Sequence, residues 1–218
     1  MMGIPVLILG PSGSGKTASL RNFEPEEVGI FNVANKPLPF RKKLPTANNA
    51  TYGMIRKSLQ RASKKAYVID DSQYLMANEF FDRAKETGYQ KFTDIGLHFR
   101  NLLQAVISQT PDDVIVYFLH HTEEDISGRL KAKTIGRMLD EKLTVEGLFS
   151  IVLLTVAEGA EHYFLTNSDG SSSAKSPMEM FEPKIDNDLR MVDRTIREYY
   201  GMNSSSAKGE EHAETERL

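Results

Sequence analysis

An apolar run, Ile4-Pro5-Val6-Leu7-Ile8-Leu9, passes without a linker into Gly10-Pro11-Ser12-Gly13-Ser14-Gly15-Lys16-Thr17. This junction restricts the fold more than anything else in the chain. Six consecutive apolar residues bounded by glycine read as a strand buried on both faces, and such strands occur in parallel sheets covered by helices. The segment 10–17 satisfies G-x-x-x-x-G-K-T in the context that gives the pattern meaning, between a strand and a helix expected over 17–22. Glycines at 10, 13 and 15 let the backbone close around an anion so that successive N–H groups point inward. Gly10, Pro11, Ser12, Gly13, Ser14, Gly15, Lys16, Thr17 and Ala18 are therefore the candidate cradle for a nucleotide's phosphates. Lys16 would bridge the β- and γ-phosphates, the Thr17 hydroxyl would ligate Mg2+, and the following helix N-terminus would add partial positive charge.

The rest of the chain alternates. Strands are expected at 28–33, 66–71, 114–119, 149–156 and 162–166, the last two as a hairpin through Glu158-Gly159-Ala160-Glu161. Helical spacing marks 51–64, 73–86, 93–109 and 186–200, the last with Asp186 as a candidate cap. Polar or proline-rich stretches at 35–49, 123–133 and 167–176 read as loops. This pattern predicts an α/β fold with a mainly parallel sheet and helices on both faces. The folded domain is expected over 1–201, with 202–218 as a Ser-rich, acidic, flexible tail.

Composition enters as a filter. Of 218 residues, 40% are hydrophobic and 26% charged, which suits a chain that buries a core. The absence of cysteine removes disulfides, thiolate metal sites and thiol nucleophiles. A formal net charge of −3 supplies no long-range attraction for a polyanion, so nucleic acid would have to meet a local basic patch. The first residues lack a basic n-region and no apolar stretch is long enough to cross a membrane, so an intracellular, cytoplasmic protein without a membrane partner is expected.

Further candidates follow the strands. Asp70 ends the run Tyr67-Val68-Ile69 at the sheet edge where ligands collect, and is the candidate for the magnesium shell. Asp71 could polarise an attacking water, cap the next helix or face solvent. His120, His121 or Thr122, at the end of 114–119, could sense the γ-phosphate, with His120 the first choice. Arg129, Lys131, Lys133 and Arg137 could meet nucleic-acid phosphate or a neighbouring subunit's nucleotide, or form a solvated loop. Lys36, Arg41, Lys42 and Lys43 form a second basic patch with Tyr52 as a nearby stacking candidate, and Lys175 is a further phosphate contact.

Gly10 to Thr17, Tyr67 to Asp71, the His120 strand end, the paired late strands and Asp188-Leu189-Arg190 together resemble the RecA-like nucleotide-binding proteins of bacteriophages, over about residues 3–200. The resemblance implies a P-loop NTPase with a RecA-like core, binding and hydrolysing ATP with Mg2+. It implies action on single-stranded DNA in phage recombination or annealing, in an infected bacterial host, beside a single-stranded-DNA-binding protein and as a homo-oligomer. It places Lys16 and Thr17 on nucleotide and magnesium, Asp70 on the magnesium shell and His120 at the sensor position. The sequence departs from the family at one point. A catalytic glutamate commonly ends the second strand, whereas Ile30-Phe31-Asn32-Val33-Ala34-Asn35 contains no acid. Either Asp71 takes over water activation, or hydrolysis is slow and binding is the main event. The alternatives are a nucleotide-gated assembly protein with little turnover, and a small-molecule kinase using Arg129 and Arg137 as clamps. No guanine-reading motif accompanies the loop, which favours ATP over GTP.

Overall fold

The computed structural model describes residues 3–136 and 144–202. Arg137 and, apart from Met202, the expected acidic tail lie outside them. The fold is α/β: a nine-stranded, mostly parallel mixed sheet flanked by helices. The strands are β1 (Ile4–Gly10), β2 (Val28–Asn32), β3 (Thr46–Asn48), β4 (Ala66–Asp70), β5 (Ile115–Glu124), β6 (Leu130–Ala132), β7 (Ile151–Glu158), β8 (Glu161–Leu165) and β9 (Lys184–Asp186). Their order is β3-β2-β4-β5-β1-β7-β8-β9, with β6 paired to the far end of β5. Strands β1 to β5 and β7 pair in parallel, while β8, β9 and β6 add antiparallel hairpins.

Alternation along β1 shows how the core is divided. Leu7 and Leu9 face a layer made by α1 (Tyr52–Leu59), α2 (Tyr74–Asp82) and α3 (Gln90–Gln109), where Ile55, Met76, Phe99 and Leu103 are buried. Val6 and Ile8 face the opposite layer, made by a 3₁₀ helix (Thr17–Asn22) and α4 (Leu189–Tyr199), where Leu20, Phe23, Val192 and Ile196 are buried. Period-two side-chain alternation on a strand covered from both sides requires this continuous apolar run. Parallel pairing then brings the carboxyl ends of the central strands to one edge. Gly10 lies opposite His121, and Asp70 opposite Asn32.

Several expectations change in detail. The short helix after the loop is 3₁₀, closed by Phe23 N–H donating to the Leu20 carbonyl, and the chain then turns through Pro25. Two short strands were not expected: β3 lies in the 35–49 stretch whose composition reads as loop, and β9 lies between the 167–176 loop and the last helix; the pairing that forms them comes from neighbours elsewhere in the sequence. The polar stretch 123–133 is a hairpin: β5 runs on to Glu124 and pairs with β6 around a turn in which Asp125 Oδ1 accepts from the backbone N–H groups of Ser127 and Arg129. The segment 167–176 is tied down where Leu130 bridges Ser172 and Val152 bridges Lys175. Helix α4 is capped by Asp188, which accepts from the N–H groups of Arg190 and Met191; Asp186 ends β9. No described helix is long and apolar enough to cross a membrane.

Candidate functional site

The loop after β1 is held by contacts that explain its residue types. A Cβ at Gly10 would fall 1.9 Å from Thr155 Oγ1 and 2.5 Å from Ser14 Oγ, so only glycine fits. Gly13 (φ 80°) and Gly15 (φ 100°) take left-handed conformations that side chains disfavour. Thr155 on β7 donates to the Leu9 carbonyl at 2.7 Å. Ser14 Oγ lies 2.7 Å from Thr155 Oγ1 and 2.9 Å from the Pro11 carbonyl, its single proton serving one of them at a time. His162 on β8 reaches the outer side of the loop, with Nδ1 3.0 Å from the Ser14 carbonyl. The late hairpin thus buttresses the cradle.

Lys16 is 6% exposed, and its ammonium donates to the Gly10 and Pro11 carbonyls at 2.7 and 2.8 Å. Burial lowers its pKa from 10.5 to about 8, against the opposing pull of Asp71 and Asp70. A cation whose direct partners are neutral carbonyls is poised to receive an anion. Because the following helix is a short 3₁₀ segment, a helix dipole contributes less here than the sequence implied.

Across the cleft, Thr17 Oγ1 donates to Asp70 Oδ1 at 2.9 Å. Asp70 is 6% exposed, and burial raises its pKa from 3.8 to about 6, with the Thr17 hydrogen bond resisting. A hydroxyl and a desolvated carboxylate meeting at the glycine loop suit a hard divalent cation, whose charge would relieve the carboxylate. Among the described residues no group of three or more His, Asp or Glu converges as a metal site. The pair therefore fits Mg2+ held largely by phosphate oxygens and water, the usual habit of that ion beside a nucleotide.

Asp71 adopts φ 58° and turns its carboxylate to two donors: Lys36 Nζ at 2.7 Å from Oδ2, and His121 Nε2 at 3.0 Å from Oδ1. Burial alone would raise its pKa, but the hydrogen bonds from His121 and Lys36 prevail and hold it at about 2. Helix α2 has no side-chain cap, so Asp71 does not serve that role.

The two adjacent histidines diverge, as neighbours on a strand must. His121 lines the cleft. His120 is fully buried beneath it, Nε2 donating to the Lys133 carbonyl at 2.8 Å, Nδ1 2.9 Å from Ser72 Oγ, and its ring against the edge of Phe99. Burial lowers its pKa to about 4, so it stays neutral. The sensor position assigned to His120 is therefore corrected: strand parity gives the cleft to His121.

The cleft has a volume of about 380 Å³ and is lined by Ser12, Gly13, Gly15 to Ala18, Lys36, Pro37, Pro39, Asp70, Asp71, His121 and His162. A hollow between α1, α2 and α3 is larger, at about 430 Å³, and there Tyr52 packs edge-on to His98 rather than beside the basic patch. Size does not identify the site; the convergence of Lys16, Thr17, Asp70 and Asp71 does.

The basic candidates separate. Lys36 leaves its patch and enters the cleft. Lys42 is occupied by the Phe23 carbonyl and Glu24, while Arg41 and Lys43 are exposed. Arg129, Lys131 and Lys175 surround a different hollow of about 350 Å³, together with Asp125 and Glu146. Within it Lys131 pairs with Glu123, and Arg129 Nε donates to the Ser172 carbonyl. Lys133 is exposed beside them. Sequence reasoning missed His162 and Thr155, for which nothing local signals a role; only the pairing of β7 with β1 and of β8 with β7 brings them to the loop. No protein-family model and no curated protein matches the chain.

Proposed function

We propose that the cleft binds a nucleoside triphosphate with Mg2+, making the chain a P-loop NTPase. The RecA-like bacteriophage ATPases are the particular group whose pattern its motifs follow. The observation that carries this reading is the 2.9 Å hydrogen bond from Thr17 to Asp70, which joins the phosphate loop to an acid 53 residues away. Lys16 would turn from its two carbonyls to the β- and γ-phosphates, and Thr17 with Asp70 would hold a hydrated magnesium ion, whose charge would offset that of the ligand. In hydrolysis the oxygen of water bonds to the γ-phosphorus as the bond to the β,γ-bridging oxygen breaks. ADP leaves with that oxygen, and the proton from water ends on the released phosphate. Asp71, held at about 2, is too weak a base to remove that proton in advance. It would orient the water instead, and positioning is most of what phosphoryl transfer asks of a protein.

The wider reading is an ATPase that couples to single-stranded DNA in phage recombination or annealing as a homo-oligomer. Arg129, Lys131 and Lys175 around one hollow support it as a place for phosphates. Phosphate release with and without single-stranded DNA, in the parent, Lys16→Ala and Asp71→Ala, tests it. Release that DNA stimulates and Lys16→Ala abolishes is expected. A parent that takes up no magnesium-nucleotide refutes the site, and one that binds nucleotide but no DNA at low salt refutes the coupling. A second reading, a nucleotide-gated assembly protein with little turnover, is favoured by Asn32 standing at the end of β2 and by Asp71 being clamped between Lys36 and His121. Nucleotide-dependent self-association without phosphate release would select it.

A further inference from the structure

Lys36 is set over the cleft by a dedicated clamp. Asn32, 2% exposed at the end of β2, accepts from the Lys36 N–H at 3.2 Å and donates to the Lys36 carbonyl at 2.6 Å, while Asn48 Oδ1 also accepts from its amide at 3.0 Å. A buried amide needs its hydrogen bonds satisfied, and this one directs most of them to the backbone of a single residue. The turn it encloses passes through Asn35 at φ 55°. The Lys36 side chain then crosses the Tyr74 ring, 5.2 Å from its centroid, to reach Asp71 at 2.7 Å.

The two ends of this ion pair differ in freedom. Lys36 is 58% exposed along its side chain, whereas Asp71 is 11% exposed and also held by His121. The lysine can leave; the carboxylate cannot follow. Lys36 lies near enough to Lys16 to help lower that residue's affinity for a proton. Both line one cleft, which presents two ammonium groups, one on the loop and one beside Asp71, next to Thr17 and Asp70, the pair that would hold the metal.

We infer that Lys36 reads the terminal phosphate in cis: a triphosphate draws its ammonium from Asp71 onto the γ-phosphate oxygens, so Lys36 sets the preference for triphosphate over diphosphate, with Asn32 as its positioning residue. This rests on the nucleotide reading of the cleft. It also gives the residue at the end of β2 a task other than catalysis. A diphosphate leaves Lys36 on Asp71; a triphosphate exchanges that contact for another charged one and leaves Asp71 with His121 alone.

The test is the affinity of the full chain, with magnesium, for ADP and for a non-hydrolysable ATP analogue, measured by calorimetry. Lys36→Met is expected to weaken the analogue about tenfold, the effect of losing one hydrogen bond to a charged group, and to leave ADP within about twofold. Lys36→Arg should restore part of the preference, and Asn32→Ala should lower it in the same direction. Unchanged ADP affinity reports that each variant is folded. An analogue-to-ADP ratio in Lys36→Met equal to that of the parent, or an equal loss for both ligands, overturns the inference while leaving the nucleotide site standing. A parent that binds neither ligand overturns the nucleotide reading and this inference with it.

Discussion

Asp70→Asn should stabilise the ligand-free protein at neutral pH while removing the magnesium-dependent nucleotide binding proposed for the cleft. The carboxyl is buried beside Thr17, and its pKa rises from 3.8 to about 6 on folding. At about 1.4 kcal/mol per unit, keeping that group ionised in the fold costs about 3 kcal/mol relative to the unfolded chain. Asparagine is neutral, matches the shape and can still accept from the Thr17 hydroxyl, so a gain of about 2–3 kcal/mol is expected at pH 7.5. At about 2–4 °C per kcal/mol for a chain of this size, Tm should rise by roughly 5–10 °C. The sign follows from proton uptake. Above pH 6 Asp70 is charged in both states and the folded protein bears the full penalty. Between about 6 and 3.8 the folded carboxyl takes its proton first and the penalty fades, and below 3.8 it is gone. Urea unfolding of parent and variant at pH 7.5 and pH 4 measures the difference directly, since other titrations are shared. A variant no more stable than the parent at pH 7.5, or a gain undiminished at pH 4, would refute the reasoning.

Three further outcomes follow from the same geometry. The fall of His120 from 6.5 to about 4 means the unfolded chain binds its proton first, so stability should drop by up to about 3 kcal/mol as pH falls through that window, and His120→Gln should lose that component of the slope in a denaturant titration. Gly10→Ala drives a methyl into Thr155 and Ser14, and should destabilise by about 1–3 kcal/mol while abolishing binding of a fluorescent nucleotide; wild-type affinity would contradict the packing. Gly13→Ala meets no atom within 4 Å and carries only the cost of its φ of 80°, so thermal unfolding should show a loss nearer 1 kcal/mol.

How much of this could be read from the chain depends on distance along it. The placement of the glycine loop and of Asp70 at strand ends was legible because a short segment carries each signal: an apolar run fixes the strand, and the next residue must emerge at its end. The parallel sheet was legible for the same reason. Strands β3 and β9 were not, since three-residue strands depend on partners rather than on their own pattern. Nor was the choice between His120 and His121, because a one-residue error in strand parity exchanges core and cleft. Lys36 was grouped with Arg41, Lys42 and Lys43 by proximity in sequence, whereas Asn32 and Asp71 give it a different place.

The buttress behind the loop also has a bearing on biosynthesis. Thr155 and His162 lie 146 and 148 residues beyond the backbone groups they hold, and β1 gains its second neighbour only with β7. A ribosome-bound fragment ending before residue 150 would carry the whole glycine motif on an apolar strand open along one side, the kind of edge that recruits other chains. Such fragments should aggregate rather than ripen, and competence to take up a ligand should arrive late in translation.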